Sequence, residues 1–188
     1  MEYLLPQFIG LAGKKGHGKD TLGEYLVTKY GYRRFAFADA LKEMVRIAFS
    51  FSNDQLYGDK KEEIDPFWKT SPREVLQFIG TELFRNNIEK LLPEMGSSFW
   101  QQIVRRKIND ILLLNPKQKI VITDVRFPDE CQFIKELGGG EIIWIERPLF
   151  DNIDGHSSEN QKLVVDQTVI NDGTINNLFE HFEKLYGR

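Results

Sequence analysis

Hydrophobic positions along the chain fall into two periods. Phe8 to Ala12 is a short unbroken apolar run; beyond a stretch of glycines and lysines ending at Lys19, Leu22, Tyr25 and Leu26 recur at helical spacing. This order predicts a strand, a glycine-rich turn and a helix. Lys119–Thr123 (KIVIT) and Glu141–Ile145 (EIIWI) have the β-branched character of strands buried on both faces. Between them, Pro128 sits at a favoured first helical position, and the apolar residues Cys131, Phe133, Ile134 and Leu137 stop at Gly138-Gly139-Gly140. Strands near Arg33–Phe37 and Gln167–Ile170 bring the expected number to five. A last helix starts at a Thr174 cap and sets Ile175, Leu178, Phe179, Phe182 and Leu185 on one face. Strands alternating with helices predict an α/β fold, a parallel sheet with helices on both faces.

From Asp39 to Leu114 the pattern is helical only, with helices expected at Asp39–Phe49, Ser71–Ile88 and about Ser97–Leu114. The second has a clear start: Ser71 can cap, Pro72 takes the first helical position and Glu74 can close a capping box. No repeat, low-complexity stretch or linker divides the chain, and a length of 188 residues suits a single domain.

Composition narrows the functional classes. Hydrophobic residues at 41% and charged residues at 28% are a globular balance, far from that of a disordered chain. The net charge of −3 arises from well-mixed signs, so the chain lacks the cationic field that a nucleic-acid polymer would require. Cys131 is the single cysteine, which rules out an internal disulfide and a multi-thiolate zinc site. No apolar run reaches the roughly 18 residues of a spanning helix, and Met1–Gln7, with Glu2 and Pro6, does not read as a leader. The expectation is a cytoplasmic protein with no membrane partner, monomeric or homodimeric.

Gly13-Lys14-Lys15-Gly16-His17-Gly18-Lys19-Asp20-Thr21 fits G-x-x-x-x-G-K, with Asp20 where a hydroxyl residue is usual. Glycines let successive N–H groups turn inward toward phosphate oxygens, the helix that follows adds its dipole, and Lys19 brings a point charge to the β and γ phosphates. The spacing of Gly13, Gly16 and Gly18 is not that of a dinucleotide fingerprint. Asp20 could serve magnesium directly or through water in place of the hydroxyl, or Thr21 could supply that hydroxyl. Ile120–Thr123 followed by Asp124 is an apolar strand ending in an acid, as suits a residue that orients hydrated magnesium.

The loop GKKGHGKDT, Phe37-Ala38-Asp39-Ala40-Leu41-Lys42, Asp124-Val125-Arg126-Phe127, His156-Ser157-Ser158-Glu159 and Asn171-Asp172-Gly173-Thr174 together resemble the deoxynucleoside monophosphate kinases of bacteriophages, over nearly the whole chain. The resemblance implies a P-loop kinase fold in three layers with ATP and Mg2+. Its core would be residues 1–38, 115–146 and 163–188, its helical acceptor-binding insert 39–114 and its lid 147–162. Such loops also occur in animal-type phosphomevalonate kinases, so the loop by itself does not choose the acceptor.

Arg73, Gln77, Thr81 and Arg85 follow at intervals of four in the Ser71 helix, a stripe drifting by about 40° per step on an α-helix. The resemblance turns Gln77, Thr81 and Arg85 toward the base and phosphate of the acceptor, with Arg73 a lesser candidate at the start of the stripe. On the preceding helix Asp39, Lys42 and Arg46 share one side; the resemblance gives Asp39 to the acceptor sugar or phosphate, Arg46 to the phosphate and Lys42 a lesser part. By the same likeness Arg126 clamps the acceptor phosphate, Arg147 stabilises charge on the transferred group, and His156 with Glu159 closes over the acceptor. Asn171 and Gly173 would lie at the adenine of ATP. Kinases of other phosphorylated acceptors, such as a coenzyme precursor, and a regulatory nucleotide switch are the competing readings.

Overall fold

A computed structural model describes residues 5–148 and 162–187. It divides into two compact units, Met1–Ala36 with Lys107–Arg188, and Phe37–Arg106. The division falls inside the helix Phe99–Leu114, so the C-terminal part of the segment read from sequence as a helical insert groups with the sheet.

The first unit is a five-stranded, wholly parallel sheet: β1 (Phe8–Ala12), β2 (Arg33–Phe35), β3 (Ile120–Val125), β4 (Glu141–Glu146) and β5 (Gln167–Ile170), in the order β2-β3-β1-β4-β5. The fold is therefore α/β as the sequence pattern predicts. β1 is central and buried throughout, which explains its lack of any polar alternation: side chains on both faces meet helices. On one face Ile9, Leu11, Val121, Ile143, Ile145 and Val169 form a core with Leu22 and Leu26 of α1 (Lys19–Tyr30) and with Leu178 and Phe182 of α7 (Ile175–Tyr186). On the other face lies α6 (Pro128–Glu136), whose Ile134 comes so near β1 that a Cβ on Gly10 would stand 2.5 Å from its Cδ1.

The helix ends follow from their sequences. α1 stops at Gly31 in the left-handed region, where the Gly31 and Tyr32 N–H groups bond back to Val27 and Leu26, the paired closure that a glycine permits. α7 starts as expected at Thr174, whose hydroxyl accepts the Asn177 N–H at 3.3 Å. Glu183 of α7 takes hydrogen bonds from Lys29 and Tyr30 of α1 at 2.5 and 2.6 Å and another from Tyr25.

The second unit contains α2 (Ala38–Phe49), α3 (Asn53–Tyr57), α4 (Pro72–Gln77) and the N-terminal part of α5 (Phe99–Leu114). Ser71 and Glu74 make the expected capping box, with Glu74 N–H to Ser71 Oγ at 3.2 Å and Ser71 N–H to Glu74 Oε2 at 2.9 Å. The single helix expected over Ser71–Ile88 is not continuous: α4 ends at Gln77 and Phe78–Leu83 is a π-helical segment. The cause is tertiary. Gly80 is buried, a Cβ there would meet Leu41 Cδ2 at 2.5 Å, and its carbonyl accepts the buried Trp100 Nε1–H at 3.0 Å. The N–H groups that could have reached that carbonyl, those of Phe84 and Arg85, go to Ile79 and Thr81 instead. α3, absent from the sequence expectation, has its own box between Ser52 and Gln55.

Candidate functional site

The loop after β1 has the backbone that its glycines allow. Gly13, Gly16 and Gly18 have φ of 142°, 81° and 104°, values that disfavour any side chain with a Cβ. A Cβ on Gly13 would stand 2.5 Å from Ile145 O, and one on Gly18 would stand 2.8 Å from Asn171 Nδ2. The loop thus lies close against the C-terminal ends of β4 and β5, where ligands of open parallel sheets bind. Lys19 opens α1, and its Nζ donates to the carbonyls of Gly13 and Lys14 at 2.5 and 2.8 Å. The ammonium is therefore held over the loop that it would serve. Lys15 and Asp20 are exposed and Thr21 is half-buried.

His17 is turned inward and is 4% exposed. Its Nδ1 lies 3.2 Å from Ile145 O and receives the Arg147 N–H at 3.3 Å, while its carbonyl accepts Asn171 Nδ2–H at 3.0 Å. Arg147 Nη1 reaches Gly16 O at 3.5 Å. Two predicted nucleotide residues thus support the loop with side chains, a use that spacing alone could not show. Gly173 leads into α7, and a Cβ there would meet Asn177 Oδ1 at 2.6 Å.

Asp124 lies within β3, which extends to Val125, instead of following its end. The register pairs Val125 with Ala12, so Asp124 is beside the start of the phosphate loop. Its neighbour Thr123 is 2% exposed, with its methyl against Gly23 of α1 and its hydroxyl without a hydrogen-bond partner among the described residues. Just past the strand, the N–H groups of Arg126 and Phe127 donate to Glu130 Oε2 at 2.7 and 3.1 Å. Glu130 is buried; the sequence reading missed it, although an acid in the first turn after Pro128 is the signal for a carboxylate that reaches back to cap.

For magnesium, Asp20, Asp124 and Thr21 offer hard oxygen donors. Among the described residues no group of three or more His, Cys, Asp or Glu could by itself hold a metal ion. This donor set fits an ion that takes most of its ligands from phosphates and water, as magnesium does, and does not fit an all-protein cage. Burial pushes the thiol of Cys131 up to about 11.

In the second unit, Asp39 is in the first turn of α2 and half-buried; Lys42 places Nζ 4.0 Å from the centre of the Tyr57 ring, and Arg46 pairs with Glu43. Arg73 is bridged to Glu62 at 3.4 Å. Gln77 ends α4, Thr81 lies in the π segment and Arg85 follows it. The wide turn, and not α-helical periodicity, sets the directions of Thr81 and Arg85. His156 and Glu159, like most of the lid expected at 147–162, lie outside the described residues. Among the described residues no helix is long and apolar enough to cross a membrane.

Comparison with known proteins agrees with this arrangement. The family model described as deoxynucleotide monophosphate kinase matches residues 59–182. A protein of Acanthamoeba polyphaga mimivirus named "Putative deoxynucleotide monophosphate kinase" is 37% identical over 177 residues, 91% of each chain. Among solved structures, TT1252 from Thermus thermophilus shares the fold, with a TM-score of 0.50 at 18% identity over 96% of both chains. A dephospho-CoA kinase from Campylobacter jejuni is a more distant likeness, with a TM-score of 0.46 at 14% identity over 96% of this chain and 97% of that one. By the family match and the extent of the viral relative, the chain belongs to the deoxynucleotide monophosphate kinase family.

Proposed function

We propose that the protein transfers the γ-phosphoryl group of ATP to a deoxynucleoside monophosphate, releasing ADP and the deoxynucleoside diphosphate. The observation that carries this reading is the phosphate loop itself: three left-handed glycines at the end of the central strand, with Lys19 held over them and Asp124 on the adjacent strand. Backbone N–H groups from Gly13 to Thr21 and the α1 dipole hold the donor phosphates. Lys19 exchanges its bonds to the Gly13 and Lys14 carbonyls for phosphate oxygens. Asn171 and Gly173 flank the adenine. Asp124, with Asp20 or Thr21, holds magnesium, which when bound offsets charge on the phosphates.

The acceptor's phosphate has a second pKa near 6 and is largely ionised at pH 7, so its oxygen attacks the γ-phosphorus without a dedicated general base as the bond to the ADP oxygen breaks. Catalysis is then positioning and charge compensation by Lys19, Arg126 and Arg147. Arg126 also grips the acceptor phosphate. Asp39, Lys42, Arg46, Arg73, Gln77, Thr81 and Arg85 of the helical unit supply acceptor recognition.

The test is coupled detection of ADP with each deoxynucleoside and ribonucleoside monophosphate, and with phosphorylated acceptors that lack a base. Turnover that depends on a deoxynucleoside monophosphate supports the reading. Turnover only with an acceptor lacking a base, or ATP hydrolysis indifferent to every acceptor, refutes it.

A further inference from the structure

The His17 ring is a feature that phosphate binding does not explain. In a loop of this kind the residue is called on only for its backbone, yet here the imidazole is buried at the end of β4, with Nδ1 3.2 Å from Ile145 O and 3.3 Å from the N of Arg147. One nitrogen cannot serve both groups at once. With the ring proton on Nε2, Nδ1 offers a lone pair to the Arg147 N–H. With the proton on Nδ1, it would donate to Ile145 O and leave that N–H without this acceptor.

The first arrangement joins the loop to the residue whose guanidinium already reaches it, since Arg147 Nη1 lies 3.5 Å from Gly16 O. Arg147 is exposed and has left the β4 ladder, so the sheet alone does not fix its backbone. The same turn of the loop is held from its other side by Asn171 Nδ2–H on the His17 carbonyl. His17 is thus positioned to set where Arg147 starts.

We propose that His17 is a positioning residue for Arg147, the Nε2–H tautomer of its ring accepting the Arg147 N–H and holding the guanidinium at the phosphate loop. The proposal rests on the reading that Arg147 stabilises the transferring phosphoryl group. It predicts that losing the ring slows transfer with little change in the ATP KM, because the loop's own N–H groups and Lys19 remain.

The experiment is a double-mutant cycle of kcat on His17→Ala, Arg147→Ala and the pair, with His17→Asn as the conservative variant, because an Asn Oδ1 can take the place of Nδ1. Arg147→Ala should lose about 100-fold in kcat, as for a transition-state donor, and His17→Ala about 10-fold. The pair should fall no lower than Arg147→Ala alone, since residues acting through one another are not additive. His17→Asn should stay within about threefold of the parent if the accepted hydrogen bond is what matters. An additive pair, or a His17→Asn as impaired as His17→Ala, overturns the proposal.

A nitrogen-15 spectrum of the intact protein gives a readout apart from activity. An unprotonated Nδ1 supports the proposal and a protonated Nδ1 overturns it, also where a variant fails to fold. A parent enzyme with no acceptor-dependent turnover refutes the kinase reading itself, visibly and before any variant is compared. An Arg147→Ala of undiminished kcat refutes the role of Arg147 and the proposal with it.

Discussion

Trp100→Phe tests whether a single indole keeps the helical unit in its π-turned form. Trp100 is 7% exposed and donates to a carbonyl that the Phe84 and Arg85 N–H groups pass over. Phe removes the donor, leaving the Gly80 carbonyl buried without it, at about 1–3 kcal/mol for an unmet buried acceptor. The smaller ring adds about 1 kcal/mol of lost packing against Phe84 and Phe99, whose ring centres lie 5.2 and 5.0 Å away. The expected loss is therefore about 2–4 kcal/mol in urea unfolding. Replacing the indole by a benzothiophene of the same shape separates the two parts, because it lacks only the N–H and should retain most of the packing while losing the hydrogen bond. Both variants should also raise the monophosphate KM, since Thr81 and Arg85 take their directions from this turn. A benzothiophene protein within about 0.5 kcal/mol of the parent refutes the claim that the hydrogen bond holds the π segment.

Three further outcomes follow from the same structure. Lys19→Met should reduce turnover by about 100-fold or more and lower stability by about 1–2 kcal/mol through its two loop bonds, so kinetics and melting are measured together; a variant keeping a tenth of parental turnover removes Lys19 from the site. Gln77→Ala and Arg85→Ala should each weaken monophosphate binding by about 2 kcal/mol or more and leave ATP binding unchanged in calorimetry; equal losses for both ligands contradict the assignment. Burial acts to raise the Glu183 carboxyl, but hydrogen bonds from Lys29, Tyr25 and Tyr30 outweigh it and bring it to about 2, below its ordinary 4.5. Because the folded value is the lower one, this stabilisation is full above about pH 4.5 and is lost as pH falls toward 2. Glu183→Gln should therefore be less stable at pH 7 by about 1 kcal/mol after solvent screening, and the difference should vanish near pH 2; a constant difference across that range contradicts the linkage.

What the sequence made legible was local. The strand, loop and helix from Phe8 to Tyr30 could be read because the glycines, the lysine and the apolar spacing all constrain the same short stretch. The Ser71 box and the Thr174 cap were legible for the same reason, each being closed within four residues. The extent of β3 was read two residues short, because Asp124 interrupts an apolar run that the sheet continues through: pairing of Val125 with Ala12 outweighs the local signal of an acid.

The parts that escaped depend on residues far apart in the chain. Gly80 looks like an ordinary weak point in a helix until Leu41 and Trp100 are placed around it, and the four-residue stripe from Arg73 to Arg85 assumes a periodicity that these two neighbours remove. His17 looks like one more polar loop residue, because its partners are 128 and 130 positions away. Motif reading assigns both to generic roles since the motif constrains backbone shape and says nothing about which side chains hold that shape. A phosphate loop is only as well placed as the strand ends it rests on, and in this protein a histidine ring is one of the links to the end of β4. The loop pattern thus constrains backbone shape within one short stretch, while the contacts that tie His17 and Gly16 to Arg147 and Asn171 join residues 130 to 154 positions apart, which no contiguous pattern records.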